Sequence, residues 1–137
     1  MNAIADTGLL VALVREEDQY HDWAVEIAAQ IKWPVLTCEA VLAETAFHLR
    51  SSTRVVGMLR DRLVRIAFDC ASHTEHLHDL ATRYADRKPD LADLCLIRMS
   101  ELYPNHTVIT VDADFRVYRR NRREAIPLLT PPKKVIR

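Results

Sequence analysis

Short apolar runs alternate along this chain with longer stretches in which apolar residues return every three or four positions. The run Asn2–Ala5 predicts a first strand, and Gly8–Val14 reads as a first helix. Trp23, Ala24, Ile27, Ala28 and Ile31 form one stripe of a helix over His21–Ile31. Trp33-Pro34 ends it, and Val35-Leu36 predicts a second strand. Thr37 is a favourable N-cap for a helix over Cys38–Arg50. A helix over about Arg54–Val64 is expected to lead into a strand at Arg65–Phe68. Ser72 with Glu75 three residues on matches a capping box, opening a helix that runs to about Tyr84. Pro89-Asp90 opens another, running to about Leu102, and Thr107–Val111 is the clearest strand. Ala125–Leu129 predicts an edge strand, a place where Pro127 is tolerated.

Strands alternating with helices predict an α/β fold, a central mostly parallel sheet with helices on both faces. With 137 residues, 49% of them hydrophobic, the chain fits one domain over 1–137 with a sizeable core. No apolar run approaches the ~20 residues that span a bilayer. The start, Met1 to Asp6, lacks a basic segment followed by a long apolar one, so no signal peptide is expected and the cytoplasm is the default location. Cys38, Cys70 and Cys95 are widely spaced in mostly apolar settings and read as reduced core residues rather than a disulfide framework or a zinc site.

Four carboxylates stand out by their placement. Asp6 ends the first strand, Glu44 sits inside an apolar helix, Asp93 lies in a first helical turn, and Asp112 directly follows the strand Thr107–Val111. In open α/β sheets, sites form outside the carboxyl ends of strands, where Asp6 and Asp112 both fall. Each acid also has a simpler explanation. Asp6 suits an N-cap, Glu44 a salt bridge, Asp90 and Asp93 a helix start, and Asp112 and Asp114 a turn. Gathered together, they repel one another unless a cation compensates, and carboxylate ligands suit Mg²⁺ or Mn²⁺ better than zinc.

Net charge is zero, but it is unevenly distributed. From Arg116 onward eight basic residues (Arg116, Arg119, Arg120, Arg122, Arg123, Lys133, Lys134 and Arg137) face the single acid Glu124, a segment of +7 that leaves −7 for the rest. A second basic stretch holds Arg54, Arg60, Arg62 and Arg65. Each could be a solvated surface; beside a metal site they would suit a phosphate-bearing partner. Competing chemistries lack their motifs. With Gly8 and Gly57 as the only glycines, no dinucleotide or P-loop motif exists. No lysine follows a late strand as a phosphoacceptor receiver requires, and Asp6 is not followed by the Asp-x-Asp pair of haloacid-dehalogenase-like phosphatases. His73, His76 and His78 are spaced by three and two, not the four of a helical zinc pair, and read as a polar helix start.

These residues resemble the PIN-domain ribonucleases. Ile4-Ala5-Asp6-Thr7 is similar to that family's first strand and metal-binding aspartate, and Leu42-Ala43-Glu44-Thr45 to its helix-borne glutamate. Asp90-Leu91-Ala92-Asp93-Leu94-Cys95-Leu96 resembles the helix carrying its third acid, and Thr110-Val111-Asp112-Ala113-Asp114-Phe115 its closing segment. The resemblance implies a three-layer α/β/α fold and a Mg²⁺- or Mn²⁺-dependent endoribonuclease with Asp6, Glu44, Asp93 and Asp112 as catalytic metal ligands. Asp90 and Asp114 are further ligand candidates, since two segments offer two acids each. Thr7 and Thr110 would orient the carboxylates, and Arg116, Arg119 and Arg120 would contact RNA phosphates. Compact members of the family are most often VapC-type toxins, which implies a small antitoxin partner and a homodimer, with no membrane association. The alternative is a PIN-like scaffold that binds RNA or protein without catalysis.

Overall fold

The computed structural model describes residues 1–133; Lys134 and Arg137 of the basic segment lie outside them. Five strands make the central sheet: β1 (Ala3–Ala5), β2 (Val35–Thr37), β3 (Val64–Ile66), β4 (Thr107–Ile109) and β7 (Leu128–Leu129). Their order is β3-β2-β1-β4-β7, and every neighbouring pair runs parallel. Among the described residues six helices connect and cover them: α1 (Thr7–Val14), α2 (His21–Ala28), α3 (Glu39–Leu49), α4 (Ser52–Arg60), α5 (Thr74–Arg83) and α6 (Leu91–Leu102). The expected sheet flanked by helices is the fold observed. Among the described residues no helix is long and apolar enough to cross a membrane.

β1 occupies the middle of the sheet because it is apolar on both sides, with Ala3, Ile4 and Ala5 all buried. That continuous apolar reading is the mark of a parallel strand covered by helices on both faces. Chain order steps from β1 to β2 on one side and later to β4 on the other, so a crevice opens beyond the carboxyl ends of β1 and β4. Helix α6 packs against both of these strands and buries seven residues, from Ala92 to Ser100. Full burial of a side chain such as Leu96 or Ile97 is worth about 1.5–3 kcal/mol, which fixes the helix and the acids at its start.

Several expectations about element ends need correction. Thr37 is not an N-cap: it ends β2, buried, with its hydroxyl donating to the Ala5 carbonyl at 2.9 Å. The N-cap of α3 is Cys38, which makes no side-chain capping bond. Ser72 and Glu75 form no capping box either. Ser72 donates its hydroxyl to Asp69, and Asp69 caps a single 3₁₀ turn at Cys70–His73 that precedes α5. The segment expected as one edge strand, Ala125–Leu129, is divided. Glu124–Ala125 (β6) pairs antiparallel with Arg119–Arg120 (β5) in a separate ribbon, while Leu128–Leu129 joins the main sheet. Pro127 stands between them and offers its carbonyl to Val108 N–H at 2.9 Å.

Gly8 in the first turn of α1 is required by a close approach. A Cβ there would lie 2.2 Å from Val111 Cγ2 and 3.2 Å from Val111 Cβ. Valine is stiff about χ1 and cannot simply swing aside. Gly8→Ala gains about 1 kcal/mol of helix propensity. The clash should outweigh that gain and leave the protein less stable by about 1–3 kcal/mol. Urea unfolding checks this: an unchanged or raised midpoint would show that the loop after β4 yields freely.

Candidate metal and nucleic-acid site

The four acids meet in one place. Asp6, Glu44, Asp90, Asp93 and Asp112 line a cleft of about 390 Å³, together with Thr7, Thr110, Tyr20 and His48. Each is delivered by a different local device. Asp6 directly follows β1 and caps α1, with Oδ1 accepting Thr7 N–H at 2.7 Å. Glu44 projects from α3 and accepts the Thr7 hydroxyl on Oε2 at 2.9 Å. Asp90 and Asp93 form a reciprocal capping box at the start of α6, with bonds of 2.8 and 3.3 Å. Asp112 lies beyond the end of β4, because the strand closes at Ile109 rather than Val111. Its Oδ1 accepts Asp114 N–H at 2.9 Å.

Thr110 links two of the acids. Its buried hydroxyl donates to Asp6 Oδ2 at 2.6 Å and accepts Asp112 N–H at 3.1 Å. Thr110→Val keeps the shape and removes both bonds. Loss of such an orienting partner typically costs about 10- to 100-fold in metal affinity. Calorimetric Mn²⁺ titration of this variant should show a loss of that order; wild-type affinity would remove the threonine from the site.

Among the described residues the acids of the cleft have no cationic partner. None of the six acids lining the cleft, Asp18 included, forms a salt bridge with a described Lys, Arg or His, and the described lining has no Lys or Arg. Burial raises the Asp6 carboxyl, against the lowering effect of Thr110 and Thr7 N–H, and Asp90 and Asp112 add repulsion. Burial also raises Glu44, with Asp90 and Asp6 adding to it. Asp93 is pushed up to about 7, first by burial and then by Asp90. The same field reaches Tyr118, whose phenol is held at about 12 by burial and by Asp93, Asp112 and Asp90.

Among the described residues no three His, Cys, Asp or Glu side chains form a ready-made metal cage. The donor set nonetheless fits a hard cation. Mg²⁺ keeps several of its waters and needs only one or two carboxylates, so an open acidic cleft suits it better than a closed cage. Glu44, Asp93 and Asp112 each have one oxygen that accepts an orienting bond and one that takes no N–H or hydroxyl donor from the described residues, with the Asp90 carboxyl beside Glu44 and Asp93.

Other expected residues fall elsewhere. Asp114 is exposed and outside the cleft lining, its backbone N–H serving Asp112. Arg120, expected at an RNA surface, is turned inward. It is 7% exposed and held by the Ser100 and Pro104 carbonyls and by Glu124. Those acceptors recruited the guanidinium into the base of the β5–β6 ribbon, which sequence position alone does not reveal. Arg116 and Arg119 are exposed and bond to Thr130 and to the Arg116 and Tyr118 carbonyls, and neither lines the cleft. His48, not among the expected site residues, lines the cleft together with Asp18, Gln19 and Tyr20 from the α1–α2 connection. Helical spacing held the signal: His48 lies four residues after Glu44 and shares its face. A larger concavity of about 1180 Å³ adjoins it at His48, lined by Arg15, Phe47 and Arg54 among others. Its described lining contains none of the clustered acids.

A family model for the PIN domain matches residues 3–121. The chain belongs to the PIN domain family. A solved structure of Mycobacterium tuberculosis VapC20, described as a sarcin–ricin loop cleaving toxin, is similar in fold, with a TM-score of 0.71 at 23% identity. The likeness covers 85% of this chain and 94% of that one. A comparison with curated protein sequences found no match. The matched span of this PIN domain chain contains all six acids that line the cleft and both orienting threonines.

Proposed function

We propose that this PIN domain protein is a Mg²⁺- or Mn²⁺-dependent endoribonuclease acting as the toxin of a toxin–antitoxin pair. One observation carries the reading: acids from four distant segments line a single cleft at the carboxyl ends of β1 and β4, with no neutralising Lys or Arg among the described lining residues. Asp6, Glu44, Asp93 and Asp112 would hold the metal, and Asp90 joins them because it lines the same cleft and acts on Asp6, Glu44 and Asp93. A divalent ion bound there supplies an activated water and stabilises charge on the scissile phosphate.

The chain's own contribution is orientation. Thr110 and Thr7 N–H fix both oxygens of Asp6, and each oxygen keeps a lone pair for a cation. The Thr7 hydroxyl fixes one oxygen of Glu44 and leaves the other for ligation. Hydrolysis that uses water needs no neighbouring 2′-hydroxyl, so the products carry 5′-phosphate and 3′-hydroxyl ends. The VapC20 likeness supports the toxin reading, which brings a small antitoxin, a homodimer and action in the cytoplasm. Exposed apolar side chains, Phe47 at 79% and Val56 at 60%, offer surface for protein partners.

The test is incubation of the purified chain with total RNA and Mn²⁺, with the new 5′ ends mapped by sequencing. Discrete cuts bearing 5′-phosphates, abolished by chelator, are the expected result. Induction of the chain in a bacterial host should halt growth. Saturable Mn²⁺ binding with neither cleavage nor growth arrest would favour the non-catalytic scaffold.

A further inference from the structure

The three cysteines are not scattered through the core; they converge. Cys70 Sγ lies 3.5 Å from Cys95 Sγ, across 25 residues of sequence. Cys38 also stands near enough to Cys95 for the two thiols to act on one another. All three are free thiols. Their exposure differs. Cys38 and Cys95 are buried, at 2% and 0%, whereas Cys70 opens the 3₁₀ turn after β3 and is partly exposed. A free cysteine is conserved in a core for packing or for reactivity, and here packing brings one reachable sulfur into contact with one shielded sulfur.

We infer that Cys70 and Cys95 form an oxidation site, in which a hydroperoxide converts the two thiols into an intramolecular disulfide. Cys70 is the sulfur the oxidant meets. Its thiol attacks the peroxide, the O–O bond breaks, and Cys70 sulfenic acid and one water (from hydrogen peroxide) result. Cys95 sulfur then attacks Cys70 sulfur. The S–S bond forms as the S–O bond breaks, and the hydroxide leaves with the Cys95 proton as a second water. Two thiols lose two electrons in total and the peroxide gains them. The sulfurs must close from 3.5 Å to the bond length of about 2.05 Å, a shift that one thiol on an exposed turn can supply. The link would tether the turn at Cys70 to the first half of α6, two residues beyond Asp93.

Cys38, Cys70 and Cys95 fall in separate tryptic peptides, divided by Arg50, Arg65, Arg83, Arg87 and Arg98. The full chain would be treated with hydrogen peroxide, blocked with a thiol alkylating agent, and mapped without reduction. A linked pair of the Cys70 and Cys95 peptides, lost on treatment with dithiothreitol, is expected. Cys70→Ser should abolish it, and Cys38→Ser should leave it in place with unchanged yield. A Cys38–Cys95 link in its place would overturn the assignment, as would links between chains, or Cys70 driven to sulfinic acid with Cys95 still free. The readout does not depend on cleavage of RNA, so it stands apart from the ribonuclease reading.

Discussion

Asp6→Asn should abolish RNA cleavage while leaving the fold intact. Asp6 has two roles, and the substitution separates them. As the N-cap of α1 it accepts Thr7 N–H at 2.7 Å, and asparagine caps a helix as well as aspartate does. The amide oxygen can keep that bond. As a cleft acid it offers negative charge to a cation, and the amide removes it. Loss of an outer partner costs about 10- to 100-fold in metal affinity, so loss of a direct ligand should cost at least about 100-fold in cleavage. Thermal unfolding without metal should be unchanged or slightly higher, because burial raises the Asp6 carboxyl and its charged form is a burden on the fold. Growth arrest on induction should disappear with the activity. Wild-type cleavage by the variant would remove Asp6 from the reaction and with it the proposed metal site.

The metal-free protein should become more stable as pH falls from about 8 to about 5, and Asp93 should be the main reason. Its carboxyl has a reference value of 3.8 and is held at about 7 in the fold. Between those values the folded chain holds a proton that the unfolded chain has released, so stability rises as pH falls through this window. The contribution is complete below the unfolded value and is lost as pH rises through the folded one. Asp6 and Glu44 shift in the same direction. His106 opposes them, since burial and Arg65 hold it below its usual value and the unfolded chain takes up its proton first. Comparison with Asp93→Asn isolates the effect: the variant should unfold at a higher temperature than wild type near pH 8, with a flatter pH profile. Mn²⁺ binds the charged form, so wild type should gain about 2.7 kcal/mol at a hundredfold excess over its dissociation constant. The variant should gain much less. Equal pH profiles for the two proteins would show that Asp93 does not carry the linkage.

The sheet was legible because period and composition agreed. Ala3-Ile4-Ala5 and Thr107-Val108-Ile109 are short, apolar and bounded by polar residues, and both became central strands. The acids were legible because each stands at a position where an apolar pattern stops, as Asp6 does, or is interrupted, as Glu44 is. What failed was local chemistry that depends on distant partners. Thr37 has the right residue type for a cap, but the Ala5 carbonyl on the neighbouring strand takes its hydroxyl. Arg120 reads as one more cation in a basic segment until the carbonyls of Ser100 and Pro104 come within reach. Thr110 was named from its position beside Asp112, yet its strongest bond runs to Asp6, 104 residues away. His48 shares a helix face with Glu44, but that spacing gained meaning only once the opposite wall of the cleft was known.

The capping box at the start of α6 sets two demands on one carboxylate. Asp93 satisfies the Asp90 backbone N–H through Oδ2, and Asp90 returns the bond to Asp93 N–H. A cation can be met without opening that mutual latch, since Asp93 Oδ1 and Asp90 Oδ2 take no part in it. The first turn of α6 would then stay closed as the site fills, and equally slow exchange of those two amide protons with and without metal would mark an entrance set in the backbone beforehand.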